Sequence, residues 1–232
     1  MEREDVGAAI LDVDGTLIDS NDQHAHAWMD AGAELGYDIA FDHVRPLIGM
    51  GGDRVTPRLI GEDEDSDTGR RIRDLRGEIF REHYLPSLGP TRGARELLER
   101  MRAEGLELVV ATSASEEDMN PLLEQAGIRD LIEEKTSSDD AEDSKPAPDI
   151  VQAALERSPF GAERAVMLGD TPYDVEACRR AGIPCVALRC GGWWSDVDFE
   201  GAAAIYDDPA DLLAHWDESP FGRLARGERH PT

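Results

Sequence analysis

Residues 8–20 read Ala-Ala-Ile-Leu-Asp-Val-Asp-Gly-Thr-Leu-Ile-Asp-Ser. The apolar run from Val6 to Leu11, broken only by Gly7, reads as a buried strand of a parallel sheet. Gly15 reads as the turn that ends it. Two carboxylates, Asp12 and Asp14, then stand at the C-terminal edge of that strand. Side chains at i and i+2 share one side of a strand, so two like charges are held close together. The arrangement costs energy unless a cation lies there or one carboxyl keeps its proton. Either outcome serves chemistry. A single Asp-Gly pair would mark only a turn.

Outward from this segment, residues 20–36 carry Ser20-Asn21-Asp22, then His24, Ala27, Trp28, Ala31, Leu35 and Gly36, at helical spacing. Phe41 to Ile48 gives a second short helical pattern that runs into Gly49-Met50-Gly51-Gly52. Arg54 to Ile60 and Thr68 to Leu85 are helical again, and Pro86 stops the latter. Beyond a helix over Arg92 to Glu104, strand and helix alternate. Leu106 to Ala111, a weak strand from Leu131 to Thr136, Ala165 to Leu168, Cys185 to Leu188 and Ala203 to Tyr206 are the strands. Glu116 to Ala126, Asp149 to Leu155, Tyr173 to Ala181 and Pro209 to Trp216 are the helices. This alternation implies an α/β fold, a doubly wound parallel sheet with helices on both faces. Residues 1–19 and 88–218 are expected to form the core, 20–87 an inserted all-helical cap, and 219–232, without a pattern, a loose tail.

Composition narrows the function. The formal net charge is −26 over 232 residues. Such a chain repels nucleic-acid phosphates. Lys135 and Lys145 are the two lysines; the other 22 basic residues are arginine. An acidic, lysine-poor surface is like that of proteins from salt-accumulating halophiles, where a Debye length near ~3 Å at molar salt makes dense like charge tolerable. Cys178, Cys185 and Cys190 are scattered and odd in number, neither a disulfide framework nor a zinc spacing. The N-terminus is acidic, no secretory signal is visible, and no apolar run approaches the ~20 residues of a membrane span. A cytoplasmic protein, monomeric or a small homo-oligomer, acting on a small molecule is expected.

Ligands of open α/β sheets sit beyond the carboxyl ends of the strands. There the chain places Asp12 and Asp14, then Thr112 and Ser113, and then Gly169-Asp170 followed by Asp174. Ser144-Lys145-Pro146 lies between the last two groups. Taken singly, the Thr reads as a turn residue, the Lys as surface, and Asp174 as a helix-start acid. Taken together and in this order, the four segments resemble the motifs of the haloacid-dehalogenase-like (HAD) hydrolase superfamily over residues 8–190.

The resemblance implies a Rossmann-like core and a Mg²⁺-dependent phosphatase. Asp12 would be the nucleophile that becomes an aspartyl phosphate, and Asp14 the general acid and base. Thr112, Ser113 and Lys145 would bind the phosphate. The metal would be held by Asp12, the backbone carbonyl of Asp14 and Asp170, with Asp174 nearby. The substrate would be a small phosphorylated metabolite. Asp19, His24 and Trp28 resemble the helical-cap branch that contains phosphoglycolate phosphatases and β-phosphoglucomutases. His24 either contacts Asp14 or the substrate, or is a polar residue packed at the cap hinge. Gly49 to Arg54 looks like the specificity loop, with Arg54 either a receptor for a second anion or a surface helix-start residue. Residues 20–87 contain no lysine, unlike phosphonoacetaldehyde hydrolases and β-phosphoglucomutases, and Gly169 stands where mutases usually carry an acid. Hydrolysis of a phosphomonoester is the leading expectation; a sugar phosphomutase and a non-catalytic phosphate-binding module are the alternatives.

Overall fold

A computed structural model describes residues 6–132, 134–141 and 143–229. The first strand, β1 (Gly7–Leu11), is followed by four helices: α1 (Asn21–Glu34), α2 (Phe41–Val44), α3 (Gly52–Ile60) and α4 (Asp67–Ile79). Then come α5 (Ala94–Ala103), β2 (Leu106–Ala111), α6 (Glu116–Gln125), β3 (Glu134–Thr136), α7 (Asp149–Arg157), β4 (Ala165–Gly169), α8 (Pro172–Ala181), β5 (Cys185–Leu188), β6 (Ala204–Tyr206), α9 (Pro209–Ala214) and α10 (Pro220–Ala225). The six strands form one parallel sheet in the order β3-β2-β1-β4-β5-β6. The fold is a Rossmann-like α/β core interrupted after β1 by a helical cap.

Alternation along β1 decides how the sheet is covered. Ala9 and Leu11 join the larger apolar cluster with Leu97, Leu98 and Met101 of α5, Leu122 of α6 and Leu212 of α9. Ala8 and Ile10 join the other, with Val151 of α7 and Cys178 of α8. Because both faces are buried, the strand is apolar throughout, as a parallel strand requires. The sheet order reverses at β1, which pairs with both β2 and β4. Leu11 lies opposite Val110 and Leu168. The residues that follow, Asp12, Thr112 and Asp170, therefore leave the sheet at nearly one level. A ligand-binding crevice forms at such a reversal point.

Several helix ends differ from expectation. Pro46 lies in a 3₁₀ turn over Arg45–Leu47, so the second helix stops at Val44. The helix expected to reach Leu85 ends at Ile79 and continues as a wider π-type turn over Phe80–Tyr84, which buries Phe80.

The expectation of a loose tail over 219–232 is corrected for its described residues. Ser219 caps α10 by accepting a hydrogen bond from the Gly222 N–H at 3.0 Å. Phe221 and Leu224 are fully buried against the core. Six residues with two apolar positions are too short to display a period, so sequence reading misses the docking. Gly7 makes room for it: a Cβ there would sit 2.8 Å from Leu224 Cδ1. Residues 230–232 lie outside the described residues.

The cap is fastened to the core along a polar seam. Arg54 Nε donates to the Ser144 carbonyl at 3.1 Å, and Tyr173 Oη donates to the Pro46 carbonyl at 2.6 Å. Arg45 reaches the Gly191 carbonyl and pairs with Asp22. On the opposite side Arg81 pairs with Asp118 of α6 at 2.7 Å. No helix among the described residues is long and apolar enough to cross a membrane. The three cysteines are free.

Candidate active site

Asp12 is buried at the end of β1, and its N–H donates to the Leu168 carbonyl at 3.0 Å. Its Oδ1 accepts from Lys145 Nζ at 2.5 Å. Lys145 is itself buried and pairs with Asp174 Oδ1 at 2.8 Å. Asp174 occupies the third position of α8, where it completes a capping box with Thr171. The capping role thus fixes Asp174 while leaving one oxygen for the lysine. Asp170 follows β4 and accepts from Asn21 Nδ2 at 2.8 Å.

Close packing fixes Asp170. A Cβ on Gly15 would come within 2.3 Å of Asp170 Oδ2, and one on Gly191 within 1.9 Å. Gly15 also has φ +74°, a left-handed conformation that side chains other than glycine rarely adopt. The turn read from the sequence is therefore also a cradle for the third carboxylate.

Asp12, Asp170 and Asp174 bring carboxylate oxygens within 4.8 Å of one another, all buried. Burial pushes Asp12 up to about 7 against the pull of Lys145, with Asp174 adding to the rise. Burial, then the charges of Asp12 and Asp174, raises Asp170 well above the carboxylate range. Burial alone would lower Lys145, but Asp12 and Asp174 outweigh it and hold its ammonium above the ordinary value. Thr16 Oγ1 lies 3.0 Å from both Asp12 Oδ2 and Asp170 Oδ1. Its single hydroxyl hydrogen serves only one of them at a time. One ammonium against three carboxylates leaves this all-oxygen cluster short of positive charge. Such a donor set fits a hard divalent cation such as Mg²⁺.

Asp14 lies apart from that cluster. Its Oδ1 accepts from Ser20 Oγ at 2.6 Å and lies 2.8 Å from His24 Nε2. Burial would raise its pKa, but His24, the Ser20 hydroxyl and Arg76 together lower it. Of the two readings left open for His24, the contact with Asp14 is observed. The ring also stacks on Phe80, centroids 3.9 Å apart, so the π-type turn orients it.

Thr112 is buried at the end of β2, where its hydroxyl accepts from the Ala114 N–H at 3.1 Å. The buried Ser113 hydroxyl has no partner. A cavity of about 60 Å³ opens between Asp12, Asp14, Thr112 and Ser113 on the core side and His24, Trp28, Gly49 and Arg76 on the cap side. Gly49, φ +105°, lies against Thr171, where a Cβ would be 2.7 Å from Cγ2. Arg54 does not line this cavity; it is occupied by the Ser144 carbonyl, Asp53 and Asp143 in the seam.

Thr16, Ser20, Asn21, Arg76 and Asp118 carry contacts that sequence reading did not assign. Thr16 lies within the motif itself, and its hydroxyl was its signal. Ser20 and Asn21 read as helix starters, and Arg76 as one charge among many between the apolar positions of α4.

Comparison with known proteins agrees with this geometry. Residues 9–188 match the family model for haloacid dehalogenase-like hydrolases. The phosphoglycolate phosphatase of Rhodospirillum rubrum is 31% identical over 225 residues, covering 88% of each chain. That of Pseudomonas putida is 29% identical over 210 residues, covering 88% of this chain and 77% of its own. Among solved structures, a hydrolase from Pseudomonas syringae superposes with a TM-score of 0.84 at 30% identity, covering 91% of this chain and 98% of that one. The carboxylate cluster beyond β1 and β4, the helical insertion and these relatives agree: the chain belongs to the haloacid dehalogenase-like hydrolase family.

Proposed function

We propose that this protein is a Mg²⁺-dependent phosphatase that hydrolyses a small phosphomonoester through an aspartyl phosphate on Asp12. The observation that carries the reading is the division of labour between two carboxylates of one motif. Asp12 sits among Lys145, Asp170 and Asp174, and Asp14, in contact with His24, lines the same cavity. The phosphoglycolate phosphatases among the relatives support a phosphomonoester as substrate. In this reading residues 20–87 form the cap that closes over residues 1–19 and 88–218.

Asp12, Asp170 and Asp174, with the Asp14 carbonyl that the family pattern adds, would hold the metal. When bound, Mg²⁺ would supply the charge that lets an anionic carboxylate approach an anionic phosphate. Lys145 and the hydroxyls of Thr112 and Ser113 receive the phosphate oxygens, the last with a hydroxyl that has no protein partner. An Asp12 oxygen attacks phosphorus and the ester oxygen departs. Asp14, sharing a hydrogen with His24, gives that oxygen its proton. It then takes a proton from the water that cleaves the acyl phosphate, which regenerates Asp12. His24 and the Ser20 hydroxyl stabilise the carboxylate that Asp14 becomes once the proton has gone.

The test is Asp12→Asn. Turnover of p-nitrophenyl phosphate and 2-phosphoglycolate in Mg²⁺ should fall by at least about 10³-fold, the scale expected when a nucleophile is lost, with the circular dichroism spectrum unchanged. Residual activity within about tenfold of wild type would refute the assignment, since so small a loss is below what removing the attacking group costs.

A further inference from the structure

We infer that Arg76, projecting from cap helix α4, is the receptor for a second anionic group on the substrate, and that this group is a carboxylate. The inference deepens the phosphatase reading and rests on it. Arg54, expected from the sequence to have this role, is tied into the seam and does not line the cavity. Arg76 does line it.

The state of the Arg76 guanidinium is the central observation. Its Nη1 has two contacts, Asp118 Oδ2 and His24 Nδ1, both at the outer limit of 3.5 Å. Its buried Nε has no partner. Asp118 is already served by Arg81, which donates to its other oxygen at 2.7 Å. Two arginines therefore share one buried carboxylate, and the one facing the cavity is the less well satisfied. A guanidinium carries five N–H donors and is costly to leave under-used away from water. Trp28 supports it from one side, with the guanidinium carbon 5.5 Å from the indole centroid. Part-buried on an aromatic face and short of acceptors, it is set to receive a planar anion in bidentate fashion.

Position selects the carboxylate. His24 touches Asp14 with one nitrogen and Arg76 with the other. One imidazole therefore separates the group that protonates the ester oxygen from the group that receives the second anion. A substrate spanning that gap has its two charged ends only a short carbon chain apart. A carboxylate is planar and meets a guanidinium through two parallel N–H···O bonds, which suits the open edge of Arg76.

The test compares 2-phosphoglycolate with its carboxamide, which has the same shape and no carboxylate charge. Wild type should favour the acid by at least about tenfold in kcat/KM, the lower end of what a charge-assisted hydrogen bond supplies. Arg76→Gln should collapse that ratio towards one, mainly through KM for the acid, and Arg76→Lys should restore part of it. A readout independent of turnover uses the Asp12→Asn background. There 2-phosphoglycolate should raise the melting temperature, and adding Arg76→Gln should remove the rise. A ratio that survives Arg76→Gln, or a wild type that does not distinguish acid from amide, would overturn the inference. The wild-type comparison decides even where the variants fold poorly. Absence of wild-type turnover of p-nitrophenyl phosphate would instead sink the phosphatase reading. The Arg76-dependent melting shift would still report on the binding role in that event.

Discussion

Replacing Lys145 with methionine removes the one ammonium among three buried carboxylates and keeps much of its apolar stem. Lys145 is 1% exposed and lies 2.5 Å from Asp12 and 2.8 Å from Asp174. Removing one partner of such a buried pair costs about 3–5 kcal/mol, because the other charge is left uncompensated. For a chain of this size each kcal/mol lowers the melting temperature by roughly 2–4 °C, so a fall of about 6–20 °C is expected in EDTA. Mg²⁺ should then act differently on the two proteins. A ligand that binds only the folded state adds about 2.7 kcal/mol at a hundred times its Kd. The variant, with one more unbalanced negative charge in the cluster, should gain more from Mg²⁺ than wild type does. Asp12→Asn in the Lys145→Met background should recover part of the loss by removing a charge. The assay is thermal denaturation followed by circular dichroism, with and without Mg²⁺ at fixed KCl. A loss smaller than about 2 °C in EDTA, well under the cost of orphaning a buried charge, with equal Mg²⁺ shifts in both proteins, would refute the account of the cluster.

Two further outcomes follow from the fold and the composition. Leu224→Ala empties a fully buried position under β1 and should cost about 3 kcal/mol, or roughly 6–12 °C in melting temperature; a shift below about 1 °C would mean that α10 adds little to the core. With a net charge of −26, the melting temperature should rise as KCl goes from ~0.1 to ~2 M, because screening relieves self-repulsion. A melting temperature independent of salt would show that the acidic surface needs no such screening.

The centre of the sheet was legible because β1, β2 and β4 are nearly continuous apolar runs buried on both faces, and each is followed by residues of the candidate site; β3, Glu134-Lys135-Thr136, is no such run. Asp12 and Asp170 could be grouped from their strand-end positions, with Asp174 four residues on, and the register of Leu11 against Val110 and Leu168 explains why that grouping works. What could not be read was direction. Arg54 and Arg76 are both cap arginines. Sequence reading singled out Arg54 because it adjoins a glycine-rich loop; which of the two faces the cavity depends on how helices α3 and α4 pack. His24 was ambiguous for the same reason, since its orientation depends on Phe80, more than fifty residues away. The tail was missed because docking through Phe221 and Leu224 leaves no periodic trace in six residues.

Asp118 has one more consequence. It is the third residue of α6, and its N–H donates to the Ser115 hydroxyl that caps the helix. That helix starts at Glu116, three residues after Ser113. The carboxylate held closely by Arg81 and more distantly by Arg76 of the cap is thus part of the first turn that follows the Thr112–Ser113 loop. Were the cap to swing away, both guanidinium groups would leave that turn and Asp118 would face water. A displacement of the cap would therefore be felt at the turn that follows Thr112 and Ser113, and the position of those two hydroxyls is coupled to the cap through one carboxylate.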